Sequence, residues 1–139
     1  MKPDLGLSVA SAAFAAAAAY GSAVSIRHRV PGEPLGVAVP LSVPTGLLIG
    51  WGAGVAAPWP MPVTALVAAA STRSGRSGRP AGIVCLALGL GCVAGTLVEP
   101  VTYRRRSPPA VRAAILANVT ASLLLAAAGR RALREGAVD

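Results

Sequence analysis

The sequence predicts an all-α protein, a bundle of four or five transmembrane helices with no soluble domain. Residues 35–72 form a run of 38 without a single charge, whereas about 20 apolar residues are enough to cross a bilayer as a helix. Further apolar blocks lie before and after this run. Charged residues make up only 13% of the chain, against roughly 25% in typical soluble domains. All 139 residues are therefore assigned to one integral membrane domain.

The first predicted span covers residues 5–26 and is rich in alanine. Alanine favours the helix but is only weakly lipophilic, so this span is expected to depend on neighbouring helices. Arg27 and Arg29 follow it, which favours a retained span over a cleaved signal peptide. The prolines and glycine of residues 31–34 then end the helix.

The long neutral run must be divided, because one helix of that length would measure about 57 Å and exceed the thickness of a bilayer. Pro58, Pro60 and Pro62 mark the division. Span 2 is predicted at residues 35–56 and span 3 at residues 58–72. Because span 3 has 15 residues, it is expected either to cross a thinned bilayer or to be re-entrant.

Span 4 is predicted at residues 81–102 and span 5 at residues 109–129. The last helix is expected to continue to Glu135, because Arg131 and Glu135 are four residues apart and can pair on a helix. Five spans place eight basic residues in cytoplasmic segments and five outside, whereas four spans divide them seven to six. The positive-inside rule therefore favours five spans over four.

The net charge of +8 comes from arginine clusters at the ends of the apolar blocks. Such clusters are expected to contact anionic lipid headgroups. A nucleic-acid-binding protein would instead carry a basic face on a soluble fold, with aromatic residues for stacking, and aromatics are only 4% here. Nucleic acid is therefore not an expected partner. The predicted headgroup contacts are Arg104, Arg105, Arg106, Arg130 and Arg131.

Spans 2 and 4 carry small residues at intervals of four, which places them on one face of each helix. Small residues there let two helix backbones approach closely in lipid. These faces are expected either to pack spans 2 and 4 together or to bind a second copy or another membrane protein. The residues are Ser42, Gly46, Gly50 and Gly54 in span 2 and Ala87, Gly91 and Gly95 in span 4.

Two polar residues within the apolar blocks form a candidate intramembrane polar site. Glu99 is the one acidic residue in such a block, and it is interpreted either as an interfacial ion pair with residues 104–106 or as a proton or cation site. Asn118 lies near the middle of span 5 and is interpreted as an interhelical hydrogen-bonding residue or as a cavity-lining group. Because they are predicted at different depths, the two are not expected to face each other.

No catalytic or metal-binding constellation can be assembled from the sequence, and no cofactor is expected. His28 is the only histidine, which leaves too few residues for general acid–base chemistry. Cys85 and Cys92 are seven residues apart on one span, too far for a disulfide. We therefore predict a non-enzymatic, multi-pass protein of a bacterial cell membrane that self-associates or serves as a small subunit.

Two alternative functions remain open from the sequence. One is a small transporter or channel, in which Pro40 and Pro44 kink span 2 and an intramembrane acid takes part in transport. The other is a membrane-embedded enzyme with a lipid-like substrate, which would need more polar groups at one depth.

Overall fold

A computed structural model of the chain describes residues 4–50, 52–73 and 78–135, and these residues contain helices and no β-strand. Two 3₁₀ turns, Pro34–Gly36 and Pro100–Tyr103, lie in the connections between α-helices. The α-helices of the described ranges are α1 (Leu5–His28), α2 (Val43–Ile49), α3 (Pro60–Arg73), α4 (Gly78–Val98) and α5 (Pro109–Glu135).

Within the described ranges, helices α1, α4 and α5 are the three that are long and apolar enough to cross a membrane. They have 24, 21 and 27 residues. These lengths correspond to about 31–40 Å, against a hydrocarbon core of about 30 Å. The all-α prediction is confirmed, and the three helices fit a membrane bundle. Four or five spanning helices are not confirmed, because α2 and α3 have only 7 and 14 residues.

Helix α5 runs antiparallel to both α1 and α4, which are parallel to each other. Gly82 near the start of α4 lies against Gly129 near the end of α5, and Asp4 at the start of α1 pairs with Arg131 of α5 at 2.7 Å. One end of the bundle, here called the Asp4 end, therefore holds the starts of α1 and α4 and the end of α5. The opposite end, here called the Glu99 end, holds the ends of α1 and α4 and the start of α5.

Small side chains and a few large ones fill the core between the helices. Leu7 and Phe14 of α1 and Leu125 of α5 are fully buried, and Ala65 of α3 and Cys85 of α4 belong to the same cluster. Since lipid tails are as apolar as these side chains, close contact between helices stabilises the cluster more than the exclusion of water does.

The helix predicted over residues 35–56 is wrong, because α2 is the only α-helix among the described residues of that range. The Oγ of Ser42 caps α2 by accepting a hydrogen bond from the N–H of Thr45 at 3.3 Å. Pro44 lies in the first turn of α2, where the missing N–H costs nothing. Gly50 ends the helix at a φ of 105°, which glycine tolerates. Pro44 therefore lies at the start of a short helix and Pro40 lies before it, so neither proline kinks a long helix.

The helix predicted at residues 58–72 is present as α3, which begins two residues later. Before it, Ala53 and Ala56 form a turn closed by backbone hydrogen bonds of 3.3 and 3.0 Å. This turn packs on α1, where a Cβ on Gly21 would lie 2.6 Å from the carbonyl oxygen of Val55. The chain thus passes from the Glu99 end to the Asp4 end through α2, the turn and α3.

Helix α4 ends at Val98, four residues before the predicted boundary. Pro100 disfavours a helical conformation at Glu99, which is extended with φ −80° and ψ 125°. Helix α5 continues to Glu135 as the spacing predicts, and Arg131 pairs with Glu135 at 3.5 Å. The early end of α4 moves Glu99 out of the helix and into the connection.

Candidate functional site

A cavity of about 210 Å³ lies at the Glu99 end, between the last two turns of α4 and residues 52–58. It is called the α4 cavity below. The cavity is lined by Gly91 and Gly95 of α4 and by several larger residues, among them Met61, Cys92, Thr96, Glu99 and Asn118.

Glu99 and Asn118 both line this cavity, although the sequence analysis placed them at different depths. The amide nitrogen of Asn118 donates a hydrogen bond to the Oγ1 of Thr96 at 2.9 Å. Glu99 follows Thr96 by three residues, which is less than one helical turn. The antiparallel pairing of α4 with α5 therefore places the two predicted polar residues at one site.

Glu99 is buried, with 8% of its surface exposed. Its Oε2 accepts a hydrogen bond from the backbone N–H of Glu33 at 2.9 Å. No cation pairs with it in the part of the chain that the structure describes, and Arg104 instead pairs with Glu33 at 3.4 Å. Burial raises the pKa of Glu99, the backbone hydrogen bond lowers it, and the charge of Glu33 raises it. The net direction is upward, which favours the protonated carboxyl.

Asn118 joins α5 to α4 through a small hydrogen-bonded cluster. Besides its bond to Thr96, its amide contacts the thiol of Cys92, with a nitrogen–sulfur distance of 3.5 Å. Ser122 donates to the backbone carbonyl of Asn118 at 2.6 Å. Asn118 is only 2% exposed, so its polar atoms are satisfied between helices rather than by solvent.

The predicted small-residue face of span 2 does not exist as one helix face. Ser42 precedes α2, Gly46 lies within it, and Gly50 ends it. Gly54 lies in the turn beyond, where a Cβ would meet Val101 at 2.8 Å. Residues four apart share a face only within a helix, so Gly54, which lies beyond the end of α2, does not share a helix face with Gly46.

The small residues of span 4, in contrast, do share a face of α4. Ala87, Gly91 and Gly95 are all exposed, and no atom of the described residues lies within 4 Å of a Cβ built on Gly91 or Gly95. Among the described residues, this face does not pack α4 against α2. It borders the α4 cavity and lies on the side of α4 away from α5.

The glycines that bring α4 and α5 together were not predicted. A Cβ on Gly89 would lie 2.5 Å from the carbonyl oxygen of Ser122, and one on Gly129 would lie 2.5 Å from the backbone nitrogen of Leu86. Gly82 and Gly89 are seven residues apart, the interval of a helix seam with a heptad repeat. The predicted small-residue faces were based on intervals of four residues, and Gly82 and Gly89 do not fit that interval.

The predicted headgroup arginines lie at both ends of the bundle. Residues 104–106 follow α4 at the Glu99 end, and Arg130 and Arg131 lie near the end of α5 at the Asp4 end. All of these residues are exposed. Their positions fit the ends of membrane-crossing helices, where arginine side chains reach lipid headgroups.

Three long apolar helices thus fit, by length and composition, a small helical membrane protein. Comparison with protein-family models, with curated proteins and with solved structures finds no match to this chain. The function is therefore argued from the residues of the sites themselves, because a fold class alone does not imply one.

Proposed function

We propose that the protein is a non-enzymatic, self-associating membrane protein, in which the α4 face of Ala87, Gly91 and Gly95 binds the same face of a second copy. The observation that carries the proposal is the open space over Gly91 and Gly95. Helices meet through small residues in lipid, where close backbone approach replaces the hydrophobic effect as the driving force.

A second copy is the occupant that best suits this face. In a two-fold interface the same patch of each copy meets the other. A patch of small residues on both helices lets the two backbones approach closely. Ile83 and Leu90 are each 53% exposed and lie along one edge of the face by helical spacing. In a dimer these larger side chains would pack beside the partner's backbone.

We further propose that the chain crosses a cell membrane four times, with α2, the turn at residues 53–56 and α3 together forming the second crossing. Non-helical backbone is tolerated within a membrane only where protein covers it. Residues 52–57 are all buried, which supports this assignment.

The test is the oligomeric state of the purified protein in a mild detergent, measured by sedimentation. We expect a dimer that Ala87→Leu and Gly91→Leu convert to monomer. Ala87 does not line the α4 cavity, so its variant separates the interface from the cavity. Ala113→Leu is the matched control, since Ala113 is an exposed alanine on α5. A wild-type monomer in both detergent and lipid would contradict the proposal.

The α4 cavity favours a second candidate function, a small transporter or channel. Its basis is the convergence of Glu99 and Asn118 on one cavity, with Glu99 as the carrier of a proton or small cation. In proteoliposomes, Glu99→Gln would then abolish proton or cation flux, whereas Glu135→Gln at an exposed position would not. Equal flux for both variants would reject this candidate. A lipid-like product copurifying with the protein would instead indicate an enzyme.

A further inference from the structure

A second depression at the Glu99 end has a different chemistry from the α4 cavity. It has a volume of about 560 Å³ and lies between the end of α1 and residues 104–108. It is called the basic pocket below. Its rim carries Arg29, Arg104, Arg105 and Arg106, and its apolar floor includes Val101 and Val111.

Three of the four rim arginines have side chains without a partner among the residues that the structure describes. Among the described residues, Arg104 pairs with Glu33 at 3.4 Å, whereas the side chains of Arg29, Arg105 and Arg106 form no hydrogen bond or ion pair. Like charges around one pocket repel each other, and a bound anion relieves that repulsion. The planar guanidinium group also matches the oxygens of a phosphate in a bidentate fashion.

The backbone holds these arginines in place from two distant parts of the sequence. Arg29 ends α1 in the left-handed conformation, with φ 50° and ψ 49°. The N–H of Val30 then donates to the carbonyl of Ser25 at 2.9 Å, which closes the helix end. Arg105 and Arg106 come from the connection between α4 and α5. Only the folded bundle brings the two segments to one pocket.

A groove leads away from the basic pocket along α5. It has a volume of about 370 Å³, shares Val101 and Arg105 with the pocket, and extends to Ile115 and Leu116. Leu116 is 68% exposed, and it lies two turns into α5 from the Glu99 end. The groove therefore runs from the arginines toward the middle of the bundle. A free anion needs no such groove, whereas a lipid chain attached to a phosphate does.

We propose that the basic pocket binds the phosphate of an anionic phospholipid. Arg29, Arg105 and Arg106 hold the headgroup phosphate, and an acyl chain lies in the groove beside Ile115 and Leu116. This site is separate from the α4 face proposed for self-association, and neither proposal depends on the other.

The test is lipid binding by native mass spectrometry of the protein in a neutral detergent. We expect one phosphatidylglycerol molecule to remain bound and phosphatidylcholine to be lost. The double variant R29Q/R106Q removes two of the three unpaired charges. Its affinity for phosphatidylglycerol is expected to fall about 30-fold, or roughly fivefold for each arginine. The lysine pair R29K/R106K keeps the charge but loses the planar guanidinium groups, so its affinity should lie between those of the wild type and R29Q/R106Q.

The matched control is R27Q/R134Q, which removes two exposed arginines that do not line the basic pocket. An equal loss of phosphatidylglycerol in this control would show a general charge effect and overturn the proposal. Equal retention of phosphatidylcholine would overturn it as well. Displacement of the lipid by inorganic phosphate at the same concentration would indicate a site for soluble anions and reject the lipid assignment. Thermal unfolding of each variant shows whether it has kept the fold.

Discussion

At Glu99 a carboxyl group lies in a cavity wall with a backbone N–H of Glu33 as its hydrogen-bond donor. The sequence marks Glu99 and Asn118 as unusual because polar groups are costly among apolar residues. It does not show that they meet, because that depends on the pairing of α4 with α5 and on the end of α4 at Val98. The charged groups near Glu99 are those of Glu33 and its partner Arg104.

The raised pKa of Glu99 predicts a pH-dependent stability. The folded state holds the proton more tightly than the unfolded state, so this contribution is fully present below the ordinary glutamate pKa. It is lost as the pH rises through the higher pKa of the folded protein. We expect the thermal stability of the wild type in detergent to fall over this range, above about pH 4.

The variant Glu99→Gln lacks the titrating group, so its stability should decline less over the same pH range. Glu135→Gln serves as the control, because Glu135 is exposed at the end of α5. The measurement is the difference between the unfolding temperatures of variant and wild type as a function of pH. If that difference does not change with pH, Glu99 does not titrate as its burial predicts.

Helix α4 carries two pairs of glycines that lie in different surroundings. Gly82 and Gly89 face α5, where backbone atoms leave no room for a Cβ, whereas Gly91 and Gly95 have open space. The sequence predicted the second pair as a close-contact face but missed the first. Both pairs consist of the same residue type, and only the position of α5 distinguishes them.

A matched pair of substitutions tests this difference on one helix. Gly89→Ala would place a Cβ 2.5 Å from the Ser122 carbonyl oxygen, and we expect it to destabilise the fold by about 1–3 kcal/mol. With both substitutions made in the Ala87→Leu background, which is expected to be monomeric, Gly91→Ala meets no atom of the described residues within 4 Å. It should then be neutral or stabilising by up to about 1 kcal/mol, because alanine is the better helix former.

Thermal or denaturant unfolding in the same detergent measures both variants. Equal destabilisation by the two substitutions would contradict the assignment of Gly89 to the α4–α5 contact. The comparison is direct because both variants add one methyl group to the same helix.

For the whole molecule, four crossings place both ends of the described chain on one side of the membrane. Five crossings would place them on opposite sides. In a background lacking Cys85 and Cys92, we expect Leu5→Cys and Glu135→Cys to react with a membrane-impermeant maleimide from the same side. Arg105→Cys should react from the other side. All three positions are exposed.

Labelling of positions 5 and 135 from opposite sides would reject the four-crossing arrangement and indicate an odd number of crossings, such as the five that the charge distribution favours. The measurement compares intact cells with cells made permeable, so that each position serves as the control for the others.

The sequence by itself determined the helical class, the long helices α1, α4 and α5, and the location of basic residues at their ends. These properties follow from local composition, because an apolar stretch of about 20 residues without an interior proline forms a helix in lipid. Tertiary structure decided the contact of α4 with α5, the α4 cavity and the basic pocket. Each of these depends on which helix faces touch, and residues far apart in the sequence, such as Arg29 and Arg105, become neighbours only when antiparallel helices pack.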